Sequence, residues 1–333
     1  MVSVLIAVLG FALGLISCLV LAVADWAAWV LVLPSRRPGT LAAQVDFALN
    51  IDSLERSMGD PIEARGVDGV KLAGLWHESS HPRGRCRGTV LLIHGFAEDP
   101  SGLRARMEAL NAHGWNVAAL DARAHGRSEG DRGTFGARES KDVASWIAKL
   151  SESGRISVDS PTLAIWGRSM GAAIAIRAVT ENPSTFTALI LEAPYVDLRS
   201  TFIRVLARKR VPFPRLFARL ILRRAGKLAG ASLAHPRPID MAPSVQTPTM
   251  ILHGTEDSLI PLAEIRGFAK LFAQRAEVVE VLGGGHHTVV EVGGPPLLDR
   301  VARFLDHAVS RSDAVEPVEE AQTQVPTGRT FNV

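Results

Sequence analysis

Short apolar runs alternate with amphipathic helical stretches through most of the chain, and this alternation constrains the fold more than any other feature. The runs with strand character cover residues 70–77, 88–95, 116–123, 162–167, 188–194, 249–254 and 277–284. The spacing of apolar residues predicts helices over 101–114, 139–150, 170–179, 261–272 and 295–309. Strands that alternate with helices form a mostly parallel sheet with helices on both faces. The sequence therefore predicts an α/β fold.

One serine lies at a junction between a predicted strand and a predicted helix. In "AIWGRSMGAAIAI" (164–176), Ser169 stands between Gly167 and Gly171. A tight strand-to-helix turn needs residues without side chains there, and it lifts the serine hydroxyl out at the carboxyl end of the sheet. The pattern G-x-S-x-G is that of a nucleophile elbow. The alternative is a packing turn without chemistry.

A serine hydroxyl is a weak nucleophile and needs a base and an orienting acid. The segment "LHGTEDSLIP" (252–261) follows a later predicted strand and offers Asp257, which we favour, and Glu256 as the alternative. A surface loop with solvated acids is the non-catalytic interpretation. The segment "GGGHHT" (283–288) follows the last predicted strand, and either His286 or His287 is the expected base. The resulting chain order is Ser, Asp, His.

Acyl transfer also needs donors for an oxyanion. The segment "LLIHGFAED" (91–99) ends an early strand, and the backbone N–H of Phe96 is a candidate donor. The N–H of Met170, at the start of the helix after Ser169, is the second candidate. We expect His94 to be structural and to hold this loop.

Together these segments resemble the α/β-hydrolase family of serine hydrolases over about residues 66–310. The stretch "LDARAHGRSEG" (120–130) is similar to the family's D-x-R-G-H-G-x-S segment, with Ala124 where glycine is usual. The branches it most resembles are monoacylglycerol-lipase-like and membrane-anchored serine hydrolases. That resemblance implies His286 as the base, hydrolysis of a small-molecule or lipid-like carboxylic ester, and no metal or organic cofactor. A serine peptidase, an acyltransferase or a non-catalytic membrane-bound binding protein are the alternatives.

The N-terminal segment carries no charged residue from Val2 to Ala24, a length that could span a bilayer as a helix. Trp26 and Trp29 suit a membrane interface. No basic residue precedes the apolar run, so a retained anchor is favoured over a cleaved signal peptide. A lipoprotein signal, suggested by "LISC" (15–18), and a buried helix are the other interpretations.

The charge and cysteine content of the sequence limit the partners and kinds of site that we expect. Arg36 and Arg37 follow the apolar segment and favour a cytoplasmic position for the main domain. The net charge of +3 gives no reason to expect nucleic acid, and the two cysteines, Cys18 and Cys86, imply no disulfide framework. No Cys/His spacing is typical of zinc, and no protein partner is inferred.

The predicted domains are an anchor (1–35), a linker (36–65), a hydrolase domain (66–310) and a disordered tail (311–333). The segment of about 197–244 is expected to form a helical lid. It carries basic residues without any acid over 199–237, and Arg215, Arg219 and Arg223 lie four apart. Helical spacing also predicts an apolar stripe of Phe213, Leu216, Phe217, Leu220 and Ile221. The basic face is either simply solvated or rests on anionic lipid headgroups.

Overall fold

The computed structural model describes residues 1–33, 59–79, 86–157, 162–274 and 276–313. Its centre is an eight-stranded sheet with the order β1-β2-β4-β3-β5-β6-β7-β8. The strands are β1 (Asp60–Arg65), β2 (Lys71–His77), β3 (Thr89–Ile93), β4 (Asn116–Leu120), β5 (Leu163–Arg168), β6 (Ala188–Glu192), β7 (Thr249–Gly254) and β8 (Glu277–Val281). Strand β2 is antiparallel to β1 and β4, and every other pairing is parallel. The predicted α/β fold is confirmed.

Nine helices accompany these strands in the described part of the chain. They are α1 (Val2–Val32), α2 (Arg104–Ala112), α3 (Glu139–Glu152), α4 (Met170–Glu181), α5 (Leu198–Arg208), α6 (Pro214–Ala229), α7 (Pro238–Met241), α8 (Leu262–Ala269) and α9 (Val289–Asp313). Helix α9 is kinked at Gly294, just before Pro295 and Pro296. Proline at those positions lacks the N–H that a continuous helix needs, so the kink has a local cause.

Two apolar layers lie on opposite faces of the sheet. One face packs against α3, α4 and α8, with Trp146, Ile174 and Phe268 among its buried side chains. The other face packs against α2 and α9, with Met107 and Leu305 among the buried side chains. Strands β3, β4, β5 and β6 are buried along their whole length because both faces are covered. Their short, continuous apolar runs follow from this position.

Strand β1 is a correction to the predicted linker of 36–65. Residues Asp60–Arg65 pair with β2 at the edge of the sheet, and only Ile62 and Ala64 are buried. Six residues that alternate between buried and exposed give a weak sequence signal, and Pro61 made it weaker. The rest of the predicted linker, through residue 58, and the predicted tail from residue 314 lie outside the described residues.

Helix α1 contains a segment, Val8–Val32, that is long and apolar enough to cross a membrane. Only 6% of its most apolar stretch is buried in the protein. This exposure argues against the interpretation of the segment as a buried core helix. The C-terminal end of α1 nevertheless contacts the rest of the protein, because Ala28 and Val32 are buried and Gly133 N–H donates to Val32 O at 3.0 Å.

Helices α5, α6 and α7 lie between β6 and β7, where the lid was expected. The predicted stripe is correct in part: Ile221 is buried, and Phe217 and Leu220 are half-buried against the core. The other buried residues of α6 are Ala218, Leu222, Ala225 and Ala229. Phe213 precedes the helix and is 75% exposed, and Leu216 is 51% exposed. Helical spacing identified the element but not the rotation of its face, which depends on what the helix packs against.

Candidate active site

The turn that holds Ser169 leaves no room for side chains on either neighbouring glycine. A Cβ atom on Gly171 would lie 2.2 Å from Ile93 O, and one on Gly167 would lie 2.0 Å from Gly171 O. Ser169 itself has φ 49° and ψ −107°, a conformation that costs free energy for a residue with a side chain. The absence of a Cβ at Gly171 lets the N-terminus of α4 approach the end of β3. Met170 is therefore placed close to the loop that carries Phe96.

Three side chains from separate loops form a hydrogen-bonded chain at the carboxyl end of the parallel strands. Ser169 Oγ lies 2.9 Å from His286 Nε2, and His286 Nδ1 lies 2.7 Å from Asp257 Oδ2. Asp257 comes from the loop after β7 and His286 from the loop after β8, so all three follow carboxyl ends of parallel strands. A proton on Nδ1, held by the carboxylate, leaves Nε2 able to accept the serine proton.

The carboxyl group of Asp257 is buried, and both of its oxygens have hydrogen-bond partners. Its Oδ1 accepts hydrogen bonds from the N–H groups of Leu259 and Ile260 at 2.8 and 2.9 Å, while Oδ2 faces His286. Burial raises the pKa of Asp257, but the hydrogen bond and charge of His286 together with the backbone donor outweigh burial, so this pKa lies below its usual value. The group is therefore ionised in the neutral range and has a fixed orientation.

The two alternatives from the sequence occupy other positions. Glu256 is exposed, and its backbone N–H donates to Gly284 O at 2.9 Å, which joins the acid loop to the histidine loop. The His287 side chain is 65% exposed and lies 3.7 Å from a Glu98 oxygen. Partial burial, together with the nearby charges of His286 and Arg168, lowers the pKa of His287.

His94 holds the loop after β3 from inside the protein. Its Nδ1 lies 2.7 Å from Gly95 O, and its Nε2 accepts from Ala122 N–H at 3.0 Å. This pattern defines a neutral ring that donates through Nδ1. Burial, helped by the neighbouring His125, lowers the pKa of His94 to about 4. The next residue but one, Phe96, is 37% exposed, and its ring stacks on Phe135 at 5.4 Å.

Comparisons with known proteins agree with this architecture. A family model described as "Serine aminopeptidase, S33" matches residues 84–238. The chain superimposes on an esterase of Pyrococcus furiosus with a TM-score of 0.63 and 22% identity, covering 83% of this chain and 98% of that one. The chain has the α/β-hydrolase fold.

Two relatives extend the similarity beyond the family match. The chain is 28% identical to a monoacylglycerol lipase of Mycolicibacterium smegmatis, over 67% of its own length and 88% of the relative's. It is 29% identical to an uncharacterized protein of Mycobacterium tuberculosis, over 74% and 79% of the two chains. The family match contains Ser169 but ends before Asp257 and His286. The proposed roles of those two residues therefore rest on their geometry.

The turn that holds Ser169 also carries a charged side chain that the sequence analysis did not single out. Arg168 donates to Glu98 Oε2 at 3.1 Å and to His287 O at 3.1 Å. Glu98 in turn accepts from Gly95 N–H at 2.9 Å. Arg168 thus connects the elbow with the loop of Phe96 and with the loop of His286. The available signal was a basic residue at the end of an otherwise apolar strand.

Beneath Arg168 lies a buried ion pair. The Glu192 side chain is fully buried, accepts from Arg106 Nε at 2.8 Å and from Trp166 Nε1 at 3.1 Å, and lies 3.7 Å from Arg168 Nε. A buried charge is tolerated only when it is paired and hydrogen-bonded, and these donors satisfy that need. The network gives the end of β6 and the start of the elbow a common, rigid support.

His253, at the end of β7, was also missed. It is buried, its Nε2 lies 2.9 Å from Ile260 O, and burial lowers its pKa. A neutral ring in this position donates to the Ile260 carbonyl and holds the acid loop closed around Asp257. Elsewhere in the described residues, no group of three or more His, Cys, Asp or Glu side chains could hold a metal ion.

Proposed function

We propose that this hydrolase cleaves carboxylic esters of lipid-like substrates, with Ser169 as nucleophile, His286 as base and Asp257 as the orienting acid. The observation that carries the proposal is the continuous hydrogen-bonded chain from Ser169 Oγ through His286 to Asp257, at 2.9 and 2.7 Å. Its location at a strained strand-to-helix turn supports it, because such a turn exposes the hydroxyl to substrate.

The reaction proceeds through an acyl-enzyme. His286 Nε2 takes the proton of Ser169 as its oxygen attacks the acyl carbonyl, and the N–H groups of Phe96 and Met170 bind the oxyanion. His286 then protonates the leaving alcohol. Water, deprotonated by the same histidine, attacks the acyl group and releases the acid and the free serine. Asp257 stays ionised and stabilises the charged imidazole.

A lipid-like substrate is supported by two independent features. Helix α1 can anchor the protein in a membrane, since Val8–Val32 is long and apolar enough to span it. One of the relatives is a monoacylglycerol lipase. We therefore place the catalytic domain at a membrane surface, where acyl substrates are concentrated.

A peptidase is the second candidate, because the family model carries a serine aminopeptidase description. Ester and amide hydrolysis use the same three residues, so the triad does not distinguish them. The distinction is measurable with a chain-length series of p-nitrophenyl esters beside aminoacyl p-nitroanilides. Preference for anilides would transfer the proposal to the peptidase.

The decisive experiment uses a fluorophosphonate probe on the full-length chain and on Ser169→Ala. We expect the wild type to be labelled and to hydrolyse esters, and the variant to lose both while keeping its circular dichroism spectrum. Ser160→Ala, a change of the same type, is the matched control and should retain labelling. A folded Ser169→Ala protein that is labelled like wild type would refute the nucleophile assignment.

A further inference from the structure

A cleft of about 630 Å³ lies along the contact between helix α1 and helix α6. Its walls include Leu21 and Ala24 on α1 and Leu216 and Leu220 on α6. A second cleft of about 500 Å³ lies on the other side of α6. Arg219, Arg223 and Lys227 line both clefts, so this basic row lies between them. The groove is the first cleft together with these three basic side chains.

These three basic residues have no charge partner in the described part of the chain. Arg219, Arg223 and Lys227 are four residues apart on α6, and all three are exposed. Asp25 is the one carboxylate among the residues that line the first cleft, and it is already paired with Arg224. The groove therefore concentrates positive charge that the described residues do not neutralise, and it suits an anionic ligand.

The groove is also continuous with the apolar part of α1. The C-terminal ends of both helices approach the loop of residues 132–138: Arg132 lies 4.6 Å from the Trp29 ring, and a Cβ on Gly230 would lie 3.3 Å from Arg138. The N-terminal end of α6 therefore points toward the exposed apolar part of α1. Exposed Phe213 and Leu216 lie at that end, next to the segment that can enter a bilayer.

We propose that this groove binds an anionic phospholipid. The phosphate group is held by Arg219, Arg223 and Lys227, and the acyl chains lie along Leu21, Leu216 and Phe213. Basic pockets beside membrane helices bind anionic headgroups, and each basic residue near such a surface contributes about 1 kcal/mol. The apolar walls favour a lipid over a soluble phosphate. The inference rests on α1 being a membrane anchor, and it is independent of Ser169.

The test measures lipid binding by native mass spectrometry on the full-length chain in detergent. Dioleoyl phosphatidylglycerol and dioleoyl phosphatidylcholine, which share acyl chains, are titrated separately. We expect phosphatidylglycerol to bind with at least about tenfold higher affinity than phosphatidylcholine. Equal affinity would overturn the proposal, and so would displacement of phosphatidylglycerol by an equal concentration of inorganic phosphate or glycerol phosphate.

The variant Arg219→Gln/Arg223→Gln/Lys227→Gln should weaken phosphatidylglycerol binding about 100-fold, as three contributions of about 1 kcal/mol predict. The matched control is Lys141→Gln/Lys270→Gln/Arg303→Gln, which removes the same charge from exposed positions outside the groove. It should bind like wild type. Equal weakening in both triple variants would reduce the effect to net charge and contradict a defined site.

Two further measurements separate this proposal from protein folding and from the proposed activity. If the triple variant unfolds, each single Gln variant is titrated, and a loss of less than about twofold in all three would contradict the site. Ser169→Ala should bind phosphatidylglycerol like wild type. Retained lipid selectivity in a wild-type chain that hydrolyses no ester would leave this inference standing and contradict only the proposed function.

Discussion

The active-site edge of the sheet and the surface shared by α1 and α6 use charged residues in opposite ways. At the sheet edge, Arg106 is 0% exposed and is paired with a fully buried Glu192. On α6, Arg219 and Arg223 are exposed and have no ion pair within the described residues. The first arrangement fixes loops through internal partners. The second leaves charge available to a partner outside the chain.

This difference follows from the solvation of ions. A buried charge must find its partners inside the protein, because leaving it unpaired costs several kcal/mol. An exposed arginine is satisfied by water, so folding alone does not dictate its neighbours. A rigid catalytic geometry and an adaptable membrane-facing surface can therefore be built on the same scaffold.

The largest effect is expected at the histidine pair. His286→Ala should reduce kcat/KM about 10⁴-fold or more, because only substrate binding and the oxyanion donors remain. His287→Ala, the adjacent control, should lose less than about tenfold, since its ring is exposed and outside the hydrogen-bonded chain. The measurement is kcat/KM for ester hydrolysis by the two purified variants. The reverse ranking would move the base to His287.

The next effect compares a buried ion pair with an exposed one. Glu192→Gln should lower the free energy of unfolding by about 3 kcal/mol, because the buried Arg106 loses its buried carboxylate partner and keeps only the half-exposed Glu291, 3.3 Å away. Asp25→Asn removes the partner of Arg224, but both side chains are substantially exposed, at 38% and 48%. We expect that change to cost less than about 1 kcal/mol. Urea unfolding in the same detergent measures the free energy of unfolding of both variants. Equal losses would contradict the difference between the buried and the exposed ion pair.

The smallest effect concerns Arg168 as a positioning residue. Arg168→Met should lower kcat about 10- to 100-fold with little change in KM, because the loops that carry Phe96 and His286 lose their common contact. Arg168→Lys should recover part of the loss. Arg104→Met, an exposed arginine on α2 paired with Glu108, is the matched control. A rise in KM at constant kcat would point instead to substrate binding.

The sequence alone determined the parts of the molecule that depend on neighbours along the chain. The alternation of apolar strands and helices predicted the sheet, because burial on both faces demands continuous apolar runs. The two glycines around Ser169 predicted the strand-to-helix turn, since no other residue fits the contacts at Gly171. The positions of the acid and histidine segments after later strands made Asp257 and either His286 or His287 candidates, and the family resemblance favoured His286.

Only the tertiary structure decided the features that join distant segments. Residues alone left His286 and His287 equivalent; the fold brings His286 to 2.9 Å from Ser169 and leaves His287 exposed. The rotation of α6 and its pairing with α1, through residues 199 positions apart, followed from packing. The Arg168 contacts had the same origin. Such contacts are set by which surfaces the chain buries together, and no local pattern in the sequence records that choice.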